Sequence, residues 1–338
     1  MKKLFINLLY YTGVLGLVLK LGYRNSVTIF MLHGVEDETS HDTWRPAWRR
    51  HSRQQLKGAI EGLSPYFDMV SIGEAVNLLE ITRNAAFRKK LVFTFDDGYL
   101  NNMNAALPIL QSNDVPGVFY LATGILERRD VYWIDRLDYL FQALGKREIP
   151  VTIGTVSAVI DGCSRTAYEN SYRSLRLKLK AAYPKDEDMI VVIDAYASQA
   201  EKEAQKSLSA VLENDKWADL IAKEKLKDIP PLIELGSHTV NHRRADSLPE
   251  TELVAELEQS REFIEENSGR KCLHFCYPNG NFSEKAARTI ERLGYLSAVT
   301  TEEGTNYPGV DLFKLKRVPF PHFSSKPELL YFMIRNMR

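Results

Sequence analysis

Covalent scaffolding is nearly absent from this 338-residue chain, whose three cysteines are Cys163, Cys272 and Cys276. An odd, low count builds no disulfide framework and fits a reducing compartment better than a secreted one. Net charge is absent too: 44 Lys plus Arg offset 44 Asp plus Glu. A general nucleic-acid binder carries a strong basic excess, so this balance argues against that class. There is no internal repeat and no low-complexity segment. With 44% hydrophobic and 26% charged residues the composition is that of a folded globular protein, which excludes disorder and collagen-like repeats. The length suits two domains, or one barrel of roughly 250 residues carrying an insertion.

Acidic residues are missing from Met1 to Val35, where Lys2, Lys3, Lys20 and Arg24 supply only positive charge. Between those lysines, Leu4 to Leu19 is apolar apart from Asn7, Thr12 and the tyrosines. A signal peptide would start this way, but no small-x-small cleavage site follows. A membrane span of this length is at the short limit, and an interfacial helix with basic flanks or a helix docked on its own domain also fits. Residues 1–25 are therefore expected to form a membrane-associated apolar helix, with lying on and spanning left open. The unpaired cysteines and missing cleavage site lean towards the cytoplasmic side; the exported side stays open.

Short β-rich runs alternate with helical patterns, which predicts parallel βα units. Strands are expected at Ser26–His33, Asp68–Ile72, Leu91–Asp96, Gly117–Ala122, Leu232–Ser237, Cys272–Tyr277, Tyr295–Thr300 and Phe313–Val318. Several are continuous apolar runs, as strands buried on both faces should be. Helices are expected at Ser52–Leu63, Ile72–Glu80, Asn101–Ser112, Leu248–Asn267 and Ser283–Leu293. Ser247 and Glu250 match a capping box for the acidic helix, whose glutamates, Glu256 among them, read as a solvated face. The spacing breaks at 126–229, expected to be an insertion subdomain with helices over Tyr132–Leu144, Tyr168–Tyr183 and Ala195–Leu226 and a strand at Ile149–Ile153. Its basic stretch Ser171–Lys180 fits a strand or a helix equally.

Chemistry concentrates at two strand ends. Thr94-Phe95-Asp96-Asp97-Gly98 closes an apolar strand with two adjacent carboxylates, and parallel α/β folds build their sites at such ends. Neighbouring strand residues face opposite ways, so one carboxylate can bind a metal while the other handles a proton. Ser237-His238-Thr239-Val240-Asn241-His242 follows another apolar strand. Its two histidines at i and i+4 lie one helical turn apart, roughly 6 Å, within reach of one ion. Two imidazoles and a carboxylate with an open position are a hydrolytic metal arrangement. Cys272 and Cys276, by contrast, would be about 13 Å apart on a strand and read as small core residues.

Together these motifs resemble the polysaccharide deacetylase (NodB homology) family, carbohydrate esterase family 4. Thr94–Gly98 and His238–His242 look like its first two motifs, Phe275-Cys276-Tyr277-Pro278-Asn279-Gly280 like its third, and Thr289–Gly304 like the segment beyond. Phe30-Met31-Leu32-His33-Gly34-Val35 resembles a strand of the circularly permuted members, such as poly-N-acetylglucosamine deacetylases. The resemblance covers 26–125 and 230–325 and implies a distorted (β/α)7-type, TIM-like barrel. It also implies roles. Asp97, His238 and His242 would hold a divalent metal, commonly zinc. Asp96 would be the general base for a metal-bound water that attacks the acetamide carbonyl. Asn279 would give its backbone N–H to the oxyanion, and His33 would protonate the leaving amine. Many relatives carry an arginine where Cys276 stands; Arg317, on a predicted strand, could orient the base instead. The expected activity is metal-dependent removal of N-acetyl groups from N-acetylhexosamine units of a polysaccharide or lipid-linked glycan. Carbohydrate O-deacetylation at the same site, or a catalytically inactive glycan-binding protein, are the alternatives.

Overall fold

The structure, a computed structural model, describes residues 2–36, 44–48, 50–80, 86–213 and 215–337. Its strands are β1 (Val27–Leu32), β2 (Asp68–Met69), β3 (Lys90–Phe95), β4 (Gly117–Leu121), β5 (Glu148–Ile153), β6 (Val156–Asp161), β7 (Ile233–Ser237), β8 (His274–Cys276), β9 (Ser297–Glu303) and β10 (Leu315–Pro319). Seven of them pair in the order β1-β10-β9-β8-β7-β4-β3, and β3 pairs back onto β1, which closes a parallel barrel. The fold is the distorted (β/α)7 type. β2 adds a short outer pairing to β3. Every residue of β4 is buried, as is all of β3 after Lys90, because helices cover the outside and side chains fill the inside.

The register aligns one rim. Leu32 pairs with Phe95, Phe95 with Phe119, Leu121 with Ser237 and Ser237 with Phe275. The residues that follow these strands, from His33, Asp96 and His238 to Tyr277, therefore leave the barrel at the same end. That end is where a parallel barrel presents its chemistry.

Gly236 of β7 is needed for space. A Cβ there would fall 2.4 Å from the Tyr120 ring and 2.8 Å from the His274 carbonyl oxygen. Tyr120 is fully buried and the carbonyl is backbone, so neither yields easily. Gly236→Ala is expected to cost about 1–3 kcal/mol, read as a lower denaturation midpoint in urea at unchanged slope.

The chain folds as two compact units. One comprises Met1–Asp37, His51–Leu126 and Ile221–Arg338; the other comprises Glu38–Arg50 and Glu127–Leu220. In the second, helices Trp133–Leu144, Arg165–Ala182 and Asp186–Ala204 pack on the antiparallel β5–β6 hairpin around Leu137, Phe141, Ile153, Leu175 and Ile193. The basic stretch Ser171–Lys180 is thus helical. The expected helix Ala195–Leu226 ends at Ala204, where Gln205 adopts a left-handed conformation (φ 53°) and turns follow. Trp48 and Arg50 join this unit through Asp135, at 2.9 and 3.4 Å.

Within the first unit the apolar N-terminal stretch is two helices, Lys2–Tyr11 and Val14–Leu21, bent by 69° at a break where Gly13 takes φ 77°. Both pack on a C-terminal helix, Lys326–Asn336. No single helix among the described residues is long and apolar enough to cross a membrane. The acidic helix runs Glu250–Ser268 with Pro249 at its N-cap and no side-chain cap. The expected Ser247 cap does not form, since that hydroxyl donates to the Arg244 carbonyl at 3.0 Å.

Candidate active site

At the end of β3 the two adjacent aspartates part. Asp96 still donates its N–H to the Leu32 carbonyl at 2.9 Å, so it continues the strand. Asp97 and Gly98 both take φ 77°, which turns the chain sharply beyond it. A left-handed Asp followed by a left-handed Gly is a pairing few other residues tolerate. The two carboxylates, both buried, thereby acquire different partners.

Asp97 meets the histidines. Its Oδ1 lies 3.5 Å from Nε2 of His238 and 3.5 Å from Nε2 of His242. The two rings meet edge to face at 4.8 Å, and the three potential ligand atoms lie within 4.8 Å of one another. Ligands set tetrahedrally at about 2.1 Å from one ion would be about 3.4 Å apart, so these three residues fit a shared divalent metal. The His238 Nδ1 is 2.7 Å from the Cys276 carbonyl oxygen. Donation there assigns the proton to Nδ1 and leaves Nε2 for an ion. The carboxyl of Asp97 is held far below the ordinary range: burial pushes it up, but the imidazoles of His238, His33 and His242 around it outweigh that.

The histidines do not converge on a helical turn, as their spacing suggested. They lie on a loop in which Thr239 (φ 64°) and His242 (φ 55°) are both left-handed. Glu256 shapes this loop. Its carboxylate accepts the N–H groups of Val240 and Asn241 at 2.7 and 2.9 Å, and Asn241 Nδ2 at 2.8 Å. Far from belonging to a solvated face, Glu256 is buried, whereas its neighbour Glu252 reaches outward to Arg243.

Asp96 meets Arg317, a fully buried residue of β10. The guanidinium donates from Nη1 to Asp96 Oδ1 at 2.8 Å and to Thr94 Oγ1 at 3.1 Å, from Nε to the Thr300 carbonyl at 2.7 Å, and from Nη2 to Cys276 Sγ at 3.3 Å. Four acceptors fix it in one orientation. Burial alone would raise the Asp96 pKa, but the charge and hydrogen bond of Arg317, with His33 and His238, leave it lowered. Asp96 thus stays an anion.

Cys276 is therefore more than a small core residue, although Cys272 sits as expected, fully buried with its thiol pushed up to about 12 by burial. Cys276 Sγ backs the guanidinium, and with Asp96 and His238 it forms a second close group of potential ligands. His33 follows β1, near enough for its charge to act on both aspartates. Asn279 sits half-buried in a tight turn at φ 58°, where its carbonyl accepts Thr301 Oγ1 at 3.3 Å. Asp97, Thr239, His242 and Asn279 make four left-handed non-glycine residues at one rim. Such strain collects where a site must be held in an uncommon shape.

Comparison with known proteins points the same way. A family model described as polysaccharide deacetylase matches residues 83–157 and 216–298. The curated protein YxkH of Bacillus subtilis (strain 168), named for polysaccharide deacetylation, is 25% identical over 99 residues. That match covers 29% of this chain and 36% of YxkH, about a third of the relative's length. Among solved structures, the Streptococcus pyogenes deacetylase PplD in complex with acetate has a TM-score of 0.59 at 16% identity, covering 94% of this chain and 100% of that one. IcaB from Ammonifex degensii has a TM-score of 0.55 at 16% identity, covering 91% and 97%. At that identity the two structures speak for the fold.

Proposed function

We propose that the chain is a member of the polysaccharide deacetylase family and a carbohydrate deacetylase that releases acetate from N-acetylhexosamine units of a polysaccharide or lipid-linked glycan. The observation that carries this reading is the division of labour between two adjacent aspartates, one paired with a buried arginine and the other facing two histidines. Environments that set apart two like groups assign their roles. PplD, which shares the fold, was captured with acetate, the product expected here.

Asp97, His238 and His242 would hold a divalent metal, zinc by the chemistry of two imidazoles and a carboxylate. When bound it would supply Lewis-acid polarisation and make a water acidic enough to ionise near neutrality. The chain does the rest. Asp96, anionic and fixed by Arg317, takes a proton from the attacking water. The left-handed turn at Asn279 offers its backbone N–H to the oxygen that gains charge as the acetamide carbonyl becomes tetrahedral. His33, directly after the neighbouring strand β1, gives a proton to the amine as the C–N bond breaks, so the products are acetate and a free amino sugar.

Acetate release by the purified chain from N-acetylated and O-acetylated oligosaccharides tests this reading. Release from the N-acetyl substrate is expected to stop after chelation and to return with added zinc. Asp97→Ala is expected to lose both metal binding and turnover. Preference for the O-acetyl substrate would replace the N-deacetylase reading, and glycan binding without turnover or bound metal would replace the enzyme.

A further inference from the structure

The two N-terminal helices are apolar on both sides. Inward, Ile6, Leu15 and Leu19 are buried. The second helix is also tied at its C-terminal end, where buried Lys89 donates through Nζ to the carbonyls of Leu19 and Gly22. A cation on those carbonyls complements the negative end of the helix dipole. Just beyond, Tyr23 Oη donates to the Ile334 carbonyl at 3.3 Å. The pair is thus fastened to its own unit along one side.

Outward, Leu4, Leu8 and Tyr11 recur at helical spacing with exposures of 75%, 60% and 81%. Val14, Leu17, Val18 and Leu21 continue the stripe past the break. Among the described residues, eight large apolar side chains are exposed in the first 21 positions and seven in all the rest. A contiguous apolar patch of this kind on a folded unit marks an interaction surface.

Its charge selects the occupant. Lys3, Lys20 and Arg24 are exposed on these segments, Lys3 lying 3.9 Å from Glu328, and no acidic residue precedes Glu36. A second copy would bring like charges together at the patch edges. Anionic lipid headgroups complement them while the acyl boundary takes the apolar stripe. Nor do the helices suit a span. At 10 and 8 residues they are about 15 and 12 Å long, against a hydrocarbon core of about 30 Å. Straightening the 69° bend into a span would also undock the buried inner face and Lys89.

We infer that the N-terminal helix pair docks flat on an anionic bilayer surface as a peripheral anchor, its outer stripe at the headgroup–acyl boundary. The full chain is tested by flotation with phosphatidylcholine vesicles, with and without one-third phosphatidylglycerol. Binding is expected on the anionic vesicles, about tenfold weaker on the neutral ones, and reversed by carbonate extraction at high pH. The double variant Leu8→Glu, Leu17→Glu is expected to lose flotation. Both positions face solvent, so it should keep its thermal midpoint and its acetate release from soluble oligosaccharide. Retention through carbonate would make the pair a span and overturn the inference. So would unchanged flotation of the variant, self-association through the stripe in place of lipid binding, or mature protein from cells that starts beyond Arg24. Flotation, carbonate extraction and the N-terminal sequence are all read without catalysis, so they stand whether or not acetate is released.

Discussion

Asp96→Asn is expected to lower kcat for acetate release by about 10²–10⁴-fold while zinc content stays at the wild-type level. The separation follows from geometry. The proposed metal-binding group is Asp97, His238 and His242, whose contacts do not pass through the Asp96 carboxylate. Asparagine keeps the shape and one hydrogen bond to Arg317 but accepts no proton. A variant that bound zinc normally and turned over normally would remove Asp96 from the reaction. Loss of zinc together with activity would instead make Asp96 part of the ligand set. Equilibrium metal binding beside steady-state kinetics distinguishes the outcomes. The substitution also leaves the guanidinium without its counter-ion, so some stability is lost and assays belong well below the melting transition.

Arg317→Met is expected to lose about 3–5 kcal/mol of stability and to move the acidic limb of the kcat/KM–pH profile upward. The wild-type pair lies wholly out of water, with Arg317 0% and Asp96 3% exposed at the side chain. Removing one member of such a pair strands a buried charge. The sign of the pH effect follows from the same contact. Asp96 must be ionised to accept a proton, so activity falls as pH drops through its pKa. Arg317 keeps that pKa below the ordinary value of about 3.9; without it the burial effect prevails and the fall comes at higher pH. The linked stability behaves likewise: with the folded pKa depressed, it is present above about pH 4 and fades as pH drops through the folded value. Combining Asp96→Asn with Arg317→Met should recover part of the stability and none of the turnover. If the single Arg317→Met variant kept wild-type turnover and an unmoved acidic limb, the arginine would be structural only.

The barrel is legible in the sequence because parallel strands buried on both faces become unbroken apolar runs, and each run ends in turn-forming or polar residues. For the same reason the rim residues stand out: Asp96-Asp97-Gly98 and His238 follow such runs directly. What escapes is whatever depends on a distant partner. Glu256 looks like every other glutamate of its helix, and only the loop folded against it makes it a buried acceptor. The histidine spacing implies a helical turn, whereas the left-handed Thr239 and His242 bring the rings together differently. Periodicity carries no mark of such dihedrals. In the insertion, β6 escapes because Val156–Asp161 alternates only loosely; its pairing with β5 gives it meaning. The C-terminal helix Lys326–Asn336 escapes because its apolar face makes sense only beside the N-terminal pair and the helix Arg53–Leu63 that it packs against.

The Asp96–Arg317 contact joins residues 221 positions apart. β10, which carries the arginine, lies beside β1, and β1 pairs on its other edge with β3, which leads to Asp96. A ribosome-bound chain can assemble β1, β3 and β4 and bury much of their apolar surface, yet its Asp96 has no arginine. Asp96 becomes a stabilised anion only when the last strand closes the ring. Onset of acetate release during synthesis would therefore time barrel closure itself.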